Sequence, residues 1–160
     1  MKENKTALMK AADLLARQDQ SSKVLRRKLL QRKYSEQETD AAIKTLQERK
    51  FLDDDEICRR QFEILYSEER LSVKQICIKL IQRGFDSEFV KNLIPADYEE
   101  REIKIAQRLL EKNFSAENFD ELSAQDKFKL KTKMYQKLSA RGLSSEIISS
   151  AIENFSCKIN

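Results

Sequence analysis

The 160-residue chain has very little of what turns, β-sheets and most catalytic sites require: two Gly, one Pro, no Trp and no His. So little Gly and Pro argues against a β-protein, and the abundant Leu, Ile, Lys, Glu, Arg and Gln favour helix. The chain also has no Gly-rich phosphate loop and no Ser or Cys nucleophile beside a base. We therefore expect an all-α protein that is not an enzyme and has no catalytic residue, metal or cofactor.

Long apolar runs are also missing, since no stretch of about 18 apolar residues could cross a membrane. The first residues are charged and lack the apolar core of a signal peptide. The three cysteines, Cys58, Cys77 and Cys157, are far apart within apolar stretches, which predicts reduced thiols in or near the core. A cytoplasmic protein without a membrane partner is the expectation.

What the chain does have is an internal repeat. Residues 28–43, 79–94 and 137–152 align without a gap. Each copy begins with Lys-Leu, has Arg three residues after the Leu, and has Ile fifteen residues after the Lys. The copies start 51 and 58 residues apart, a spacing typical of tandem supersecondary units that share a core.

Each repeat is predicted to contain three helices, nine in all. In the second copy five apolar side chains recur at helical spacing: Val73, Ile76, Cys77, Leu80 and Ile81. Gly84 and Gly142 are expected to end the middle helices with a positive φ, and Lys33 stands at the equivalent position of the first copy. The third helices are expected to be capped by Ser35, Asp86 and Ser144.

A further apolar stripe precedes each aligned block and predicts the first helix of each repeat. We place repeat one at residues 1–52, repeat two at 53–96 and repeat three at 97–160, as one continuous domain. Docked repeats of this kind are expected to form a curved, elongated array of either hand. Repeat three has a longer connection at about 113–122. Its apolar side chains Phe114, Phe119 and Leu122 predict that this connection packs against the helices.

Charge is concentrated on the predicted middle helices, although the net charge is only +4. The segment 21–33 has six cations and no acid, and 123–142 has six cations and one acid. This segregation favours an acidic partner such as nucleic acid over a merely solvated face. The candidate partner-binding or DNA-binding residues are Lys23, Arg27, Lys28, Lys74, Lys79, Lys129, Lys133 and Lys137.

Other charged residues are better explained by structure. Arg32, Arg83 and Arg141 recur in the last turn of the three middle helices, where a cation meets the negative end of the helix dipole and can pair with a carboxylate. The acidic run 53–56 stands where a helix begins, so Asp53 is predicted to be an N-cap with Glu56 reaching back. Phe128 and Tyr135 are the aromatic residues that lie among the cations, which is weak support for a base-stacking surface.

Four segments in this order resemble the RecX family of bacterial regulators of the RecA recombinase. They are Leu25-Arg-Arg-Lys-Leu-Leu30, Leu46 followed by Phe51-Leu-Asp-Asp54, Lys79-Leu-Ile-Gln-Arg-Gly-Phe85, and Leu138-Ser-Ala-Arg-Gly-Leu143. The resemblance implies three tandem three-helix units in a curved molecule. It also implies a modulator that docks in the groove of the RecA filament on DNA and restrains ATP hydrolysis and strand exchange. Lys33, in place of Gly, and Leu143, in place of an aromatic residue, depart from the pattern.

Three hypotheses follow. The first is a monomeric, non-enzymatic regulator that binds the RecA filament on DNA, directly or through its DNA, with the basic faces of the first and third middle helices. The second is a DNA-binding helical-repeat protein that acts on nucleic acid directly. The third is a structural adaptor whose charge only keeps it in solution.

Overall fold

The structure is a computed structural model that describes residues 5–114 and 122–158, with side chains to residue 156. That part of the chain is helical and contains no strand, which confirms the all-α prediction. The helices are α1 (Ala7–Arg17), α2 (Ser22–Leu30), α3 (Glu36–Glu48), α4 (Asp54–Ser67), α5 (Val73–Gln82), α6 (Ser87–Asn92), α7 (Tyr98–Phe114), α8 (Ala124–Ser139) and α9 (Ser145–Lys158).

The first and third repeats pack their helices in the same way. In repeat one α3 packs against α1 and α2, and in repeat three α9 packs against α7 and α8. Leu25 and Leu29 of α2 are completely buried, as are Met134 and Leu138 at the equivalent positions of α8. The predicted three-helix arrangement is therefore confirmed, and the middle helix contributes the same core positions in both repeats.

The chain forms two compact units, and two of the three limits between them fall inside helices α4 and α5. One unit takes the chain to Ile64 together with Cys77–Leu93, and the other takes Leu65–Ile76 together with the chain from Ile94. In the second unit Phe114 and Leu122 pack against the buried side chains of α7, α8 and α9, as predicted for the long connection. Phe119 lies outside the described residues, and the division at residues 52 and 96 stays a prediction.

Local sequence signals set the helix ends. Ser35 forms a capping box with Glu38, Asp86 accepts a hydrogen bond of 2.8 Å from the Phe89 N–H, and Ser144 accepts one of 3.4 Å from the Ile147 N–H. All three predicted caps are confirmed. The positive φ values at the ends of the middle helices are confirmed as well: 67° at Lys33, 90° at Gly84 and 78° at Gly142.

The acidic run at the start of α4 provides two caps. Asp53 accepts hydrogen bonds from the N–H groups of Asp55 and Glu56, which confirms its predicted role. Asp54 belongs to repeat two but caps α2 of repeat one. Its carboxylate accepts a 2.8 Å bond from the Ser22 N–H and a 2.5 Å bond from the Ser22 hydroxyl. A free N–H at the start of α2 is thus satisfied by the following repeat.

One predicted core position is wrong. Ile81 was placed on the buried face of α5, but 40% of it is exposed, whereas Ile76 and Leu80 are completely buried. At 100° per residue the buried line runs through Val73, Ile76 and Leu80, and Ile81 lies about 80° from Val73 around the helix. Ile81, eight residues after Val73, therefore lies outside the core.

A buried ion pair in α7 was not predicted. Arg101 and Glu102 are 7% and 3% exposed, and Arg101 Nη1 lies 3.4 Å from Glu102 Oε1. Arg101 also donates to the carbonyls of Tyr66 (2.9 Å) and Leu71 (3.1 Å), and its guanidinium lies 4.3 Å from the centre of the Tyr66 ring. Arg101 therefore ties α7 to the end of α4 and the loop that follows it.

Glu102 repeats, one repeat later, the cap that Asp54 makes. Its Oε1 accepts a 2.8 Å hydrogen bond from the Val73 N–H at the start of α5. Burial raises the pKa of Glu102, while the Val73 N–H and the Arg101 charge act in the opposite direction. The first helix of repeat three thus caps the middle helix of repeat two.

Candidate basic interface

The cations of α2 differ in whether an acid neutralises them. Lys23 and Arg27 are exposed one turn apart, and Lys28 is half-buried. Their neighbour Arg26 pairs with Asp40 of α3 at 2.7 Å, and this bond raises the pKa of Arg26 and lowers that of Asp40. In the described part of the chain no carboxylate lies within 4 Å of the three candidate side chains. Their charges are therefore available to a partner.

Lys129, Lys133 and Lys137 recur every four residues along α8, so they form a line on one flank of this helix. All three are exposed. Lys129 Nζ lies 3.5 Å from Asp126 Oδ1, and the pKa of Asp126 is lowered chiefly by a hydrogen bond from Ser123 and then by Lys129. Among the described residues no carboxylate is within ion-pair distance of Lys133 or Lys137, which leaves two free cations on this flank.

Helix α5 presents a weaker basic surface. Lys74 and Lys79 are both exposed, but five positions place them about 140° apart around the helix. Ile78, which aligns with Arg27, is 46% exposed and adds an apolar side chain to this surface. The structure therefore does not gather the two α5 lysines into one cationic face.

The structure adds Arg83 to the candidate cations of α2. Arg83 lines a cleft of about 310 Å³ together with Arg27 and Lys28. Its Nη1 donates to Gln61 Oε1 at 2.6 Å, so the carboxylate pairing considered for the recurring arginines is not found for this residue. Arg32, by contrast, donates to the Lys28 carbonyl at 2.8 Å, as expected of a cation at a helix C-terminus. Sequence reasoning missed Arg83 because it treated the recurring arginines alike.

The two aromatic residues of α8 lie apart from its lysine line. Phe128 is 73% exposed and Tyr135 is 42% exposed. With Lys131 and side chains of α9 they line a shallow groove of about 530 Å³. At 100° per residue this groove lies on the opposite flank of α8 from Lys129 and Lys133. The aromatic residues therefore do not interleave with the candidate cations.

Two other kinds of site are absent from the described residues: a metal site and a membrane span. Between residues 5–114 and 122–158 no group of three or more acidic or Cys side chains is arranged to hold a metal ion. None of the helices in those ranges has the length and apolar character needed to span a bilayer.

The fold and the unpaired cations define an all-α protein of three-helix repeats with basic middle helices. Residues 7–46 match the family model described as the first three-helix domain of RecX. The predicted resemblance to the RecX family is thereby confirmed for this first segment of the chain. No curated protein matches the chain at a significant level.

Two crystal structures share the fold. RecX from Lactobacillus salivarius superposes with a TM-score of 0.72 at 18% identity, covering 92% of this chain and 93% of that one. The crystal structure of a regulatory protein RecX superposes with a TM-score of 0.73 at 18% identity, covering 92% of this chain and 70% of the other. The TM-scores show that the fold is shared. At 18% identity, individual binding residues cannot be transferred from these structures to this chain.

Proposed function

We propose that this protein is a cytoplasmic, non-enzymatic regulator that binds the RecA filament on DNA and restrains ATP hydrolysis and strand exchange. The match of residues 7–46 to the first three-helix domain of RecX, and the fold shared with a regulatory protein RecX, support the regulatory role. The observation that carries the proposed binding mode is the contrast within α2. Arg26 is neutralised by Asp40, while Arg27 and Lys28 have no carboxylate partner among the described residues.

The proposed contact surfaces are the cations of α2 and the lysine line of α8. A nucleoprotein filament offers phosphate along a repeating track, and each contact between phosphate and Lys or Arg releases condensed counterions. Exposed lysines without an acidic partner can make such contacts without first breaking an internal ion pair. Lys133 and Lys137 meet this condition on α8, and Lys23 and Arg27 meet it on α2.

The test compares two targets for the labelled protein. Binding to bare single-stranded DNA and to the same strand coated with RecA and a non-hydrolysable ATP analogue is followed by fluorescence anisotropy across a salt series. We expect tighter binding to the coated strand, steeply weakened by salt, and a lower rate of RecA ATP hydrolysis. Equal or tighter binding to bare DNA would instead favour the second candidate, a protein that acts on nucleic acid directly.

A further inference from the structure

The cleft next to α2 holds more polar groups than the fold requires. We call it the α2–α5 cleft. It lies beside the first turn of α2 and the end of α5, and it has a volume of about 310 Å³, at the lower end of the range for small-ligand sites. Its polar lining includes Gln20, Arg27, Lys28, Gln61, Gln82 and Arg83.

The cleft is positively charged and partly preorganised. Its lining acid, Asp19, is paired with Arg60. No carboxylate in the described residues comes within 4 Å of Arg27, Lys28 or Arg83. The Ser21 hydroxyl donates to the Arg83 carbonyl at 2.6 Å, and Gln61 accepts from the Arg83 guanidinium at 2.6 Å. Arg83 is therefore fixed at both ends, with further N–H groups left for a ligand.

Gln20 supplies a buried acceptor that lacks a partner. The residue is 7% exposed and lines the cleft, and its Oε1 has no hydrogen-bond partner in the described part of the chain. Its Nε2 makes a long contact of 3.5 Å with the Gln18 carbonyl. Buried polar atoms are nearly always satisfied in folded proteins, so an unpaired acceptor in a cleft indicates a place for an external donor.

Part of the polar lining is not a feature of the repeat, although Lys28 and Arg83 recur as Lys79 and Arg141. At the repeat spacings of 51 and 58 residues, Leu71 corresponds to Gln20, Ile78 to Arg27 and Ala140 to Gln82. Three positions that are polar in this cleft are thus apolar in the next repeat. The helical fold does not demand polar side chains at these positions, which favours a role in binding.

We propose that the α2–α5 cleft binds a nucleotide. The three cations would hold its phosphate, and Gln20 Oε1 and the Gln82 amide would meet the donors of its base or sugar. A protein carboxylate brings a single negative charge to three cations, whereas a phosphate monoester brings up to two, and glutamine amides match the hydrogen-bonding edge of adenine.

The nucleotide can be free or part of a single strand. Because Arg27 and Lys28 also belong to the proposed filament-binding surface, the strand source rests on the proposed function. Binding of a free nucleotide does not depend on the proposed function. Both sources present a phosphate beside a base, although a phosphodiester in a strand carries one negative charge where the free monoester carries up to two, so the experiment has to separate them.

The experiment is an amide NMR titration of the protein alone at fixed ionic strength. The three probes are inorganic phosphate, dAMP and an eight-residue oligo(dA). We expect dAMP or the oligonucleotide to shift the signals of Gln20, Gln82 and Arg83, and to bind about tenfold more tightly than phosphate. Tighter binding of dAMP identifies the free nucleotide, and tighter binding of the oligonucleotide identifies the strand.

Two exposed positions test the lining with little risk to the fold. Gln82→Ala and Arg27→Ile introduce the residues found in the aligned positions, and each should weaken binding of the tighter-bound nucleotide probe about tenfold. Lys44→Gln, an exposed change on α3, is the matched control and should leave it unchanged. RecA is absent from this experiment, so a failed nucleotide titration leaves filament binding to be judged by the anisotropy assay.

Several results would overturn the proposal. They are an absence of shifts at these signals with all three probes, phosphate binding as tightly as both dAMP and the oligonucleotide, and an equal loss in Lys44→Gln. Retained nucleotide binding without filament binding would count against the proposed function and leave the cleft assignment intact.

Discussion

Gly84 lies so close to Ser21 that a Cβ atom at position 84 would be 2.6 Å from the Ser21 Oγ. Gly142 repeats the relationship with Ser72, at 3.0 Å. Ser21 and Ser72 are the N-caps of α2 and α5, accepting from the third N–H beyond the cap. Each glycine therefore lets the end of one middle helix approach the cap of the middle helix before it.

Gly84→Ala should lower the free energy of unfolding by roughly 2–4 kcal/mol, because it adds a Cβ both at a positive φ and against Ser21. Gly142→Ala should cost somewhat less, since its nearest atom is farther away. Urea unfolding followed by circular dichroism measures both. A loss under 0.5 kcal/mol at Gly84 would contradict the close approach.

Lys33→Gly is the counterpart at the equivalent position of repeat one. Lys33 has a φ of 67° and its side chain is exposed. Glycine should relieve backbone strain there, and the free energy of unfolding should rise by up to about 1 kcal/mol. If Lys33→Gly clearly destabilises the protein in the same urea titration, the positive φ of Lys33 does not strain the backbone.

Arg101→Ala should be among the most destabilising single changes, at roughly 3–5 kcal/mol. It would leave the Tyr66 and Leu71 carbonyls without their donor and Glu102 without its buried counter-charge. Glu102→Gln keeps an acceptor for the Val73 N–H and should cost less. Chemical unfolding of both variants gives the comparison, and equal small losses would show that the pair is not buried in solution.

Asp54→Ala and Asp53→Ala should each lower the free energy of unfolding by about 0.5–2 kcal/mol, the usual cost of a lost cap. Asp54→Ala removes the partner of Ser22, so helix α2 should lose amide-exchange protection at its first turn. Filament affinity, measured well below the melting temperature, should stay within twofold of wild type. A large loss of affinity at unchanged stability would place the acidic run in the binding surface instead.

Arg27→Glu and Lys133→Glu should each weaken binding to RecA-coated DNA and reduce its salt slope by about one. Both positions are exposed, so the folding stability should change by only about 0.5 kcal/mol. Lys44→Glu on α3 and Lys104→Glu on α7 carry the same change of sign at exposed positions outside the proposed surfaces. Equal effects from all four variants in the anisotropy assay would show that net charge alone controls binding.

Cys58 should react very slowly with iodoacetamide in the folded protein. Burial raises the pKa of its thiol from 9.0 to about 11, and nearby acids of α4 add to this effect. At pH 8 the thiolate fraction is then about 100-fold below that of an unperturbed thiol. Mass spectrometry of timed samples, with protein unfolded in urea as the control, measures the rates. Labelling at the unfolded rate would exclude the buried position.

Local features of this fold were predictable from sequence. The caps at Ser35, Asp86 and Ser144 and the positive φ at Gly84 depend on neighbouring residues, and all were found. The burial of Arg101 depends on carbonyls 30 and 35 residues away, and no periodicity reports such a contact.

The same limit applies to the candidate site. The cations of α2 and α8 could be predicted because helical spacing alone decides which side chains share a face. The α2–α5 cleft could not, since it joins Gln20 and Arg27 to Arg83 across more than one repeat. The sequence places Arg83 and Arg32 at the same position of the repeat, which predicts the same role for both. In the structure Arg83 instead bonds to Gln61, a residue of another helix.

Because of the carboxylate caps of α2 and α5, the sequence repeat does not coincide with the structural module: each of these two middle helices needs an acid from the repeat that follows it. Asp54 and Glu102 each stand in the first helix of one repeat and complete the middle helix of the repeat before it. Duplicating or exchanging a three-helix segment would therefore preserve the core but replace the acid that its predecessor requires. Repeats in this protein can be swapped freely only when the incoming first helix carries a carboxylate at the matching place.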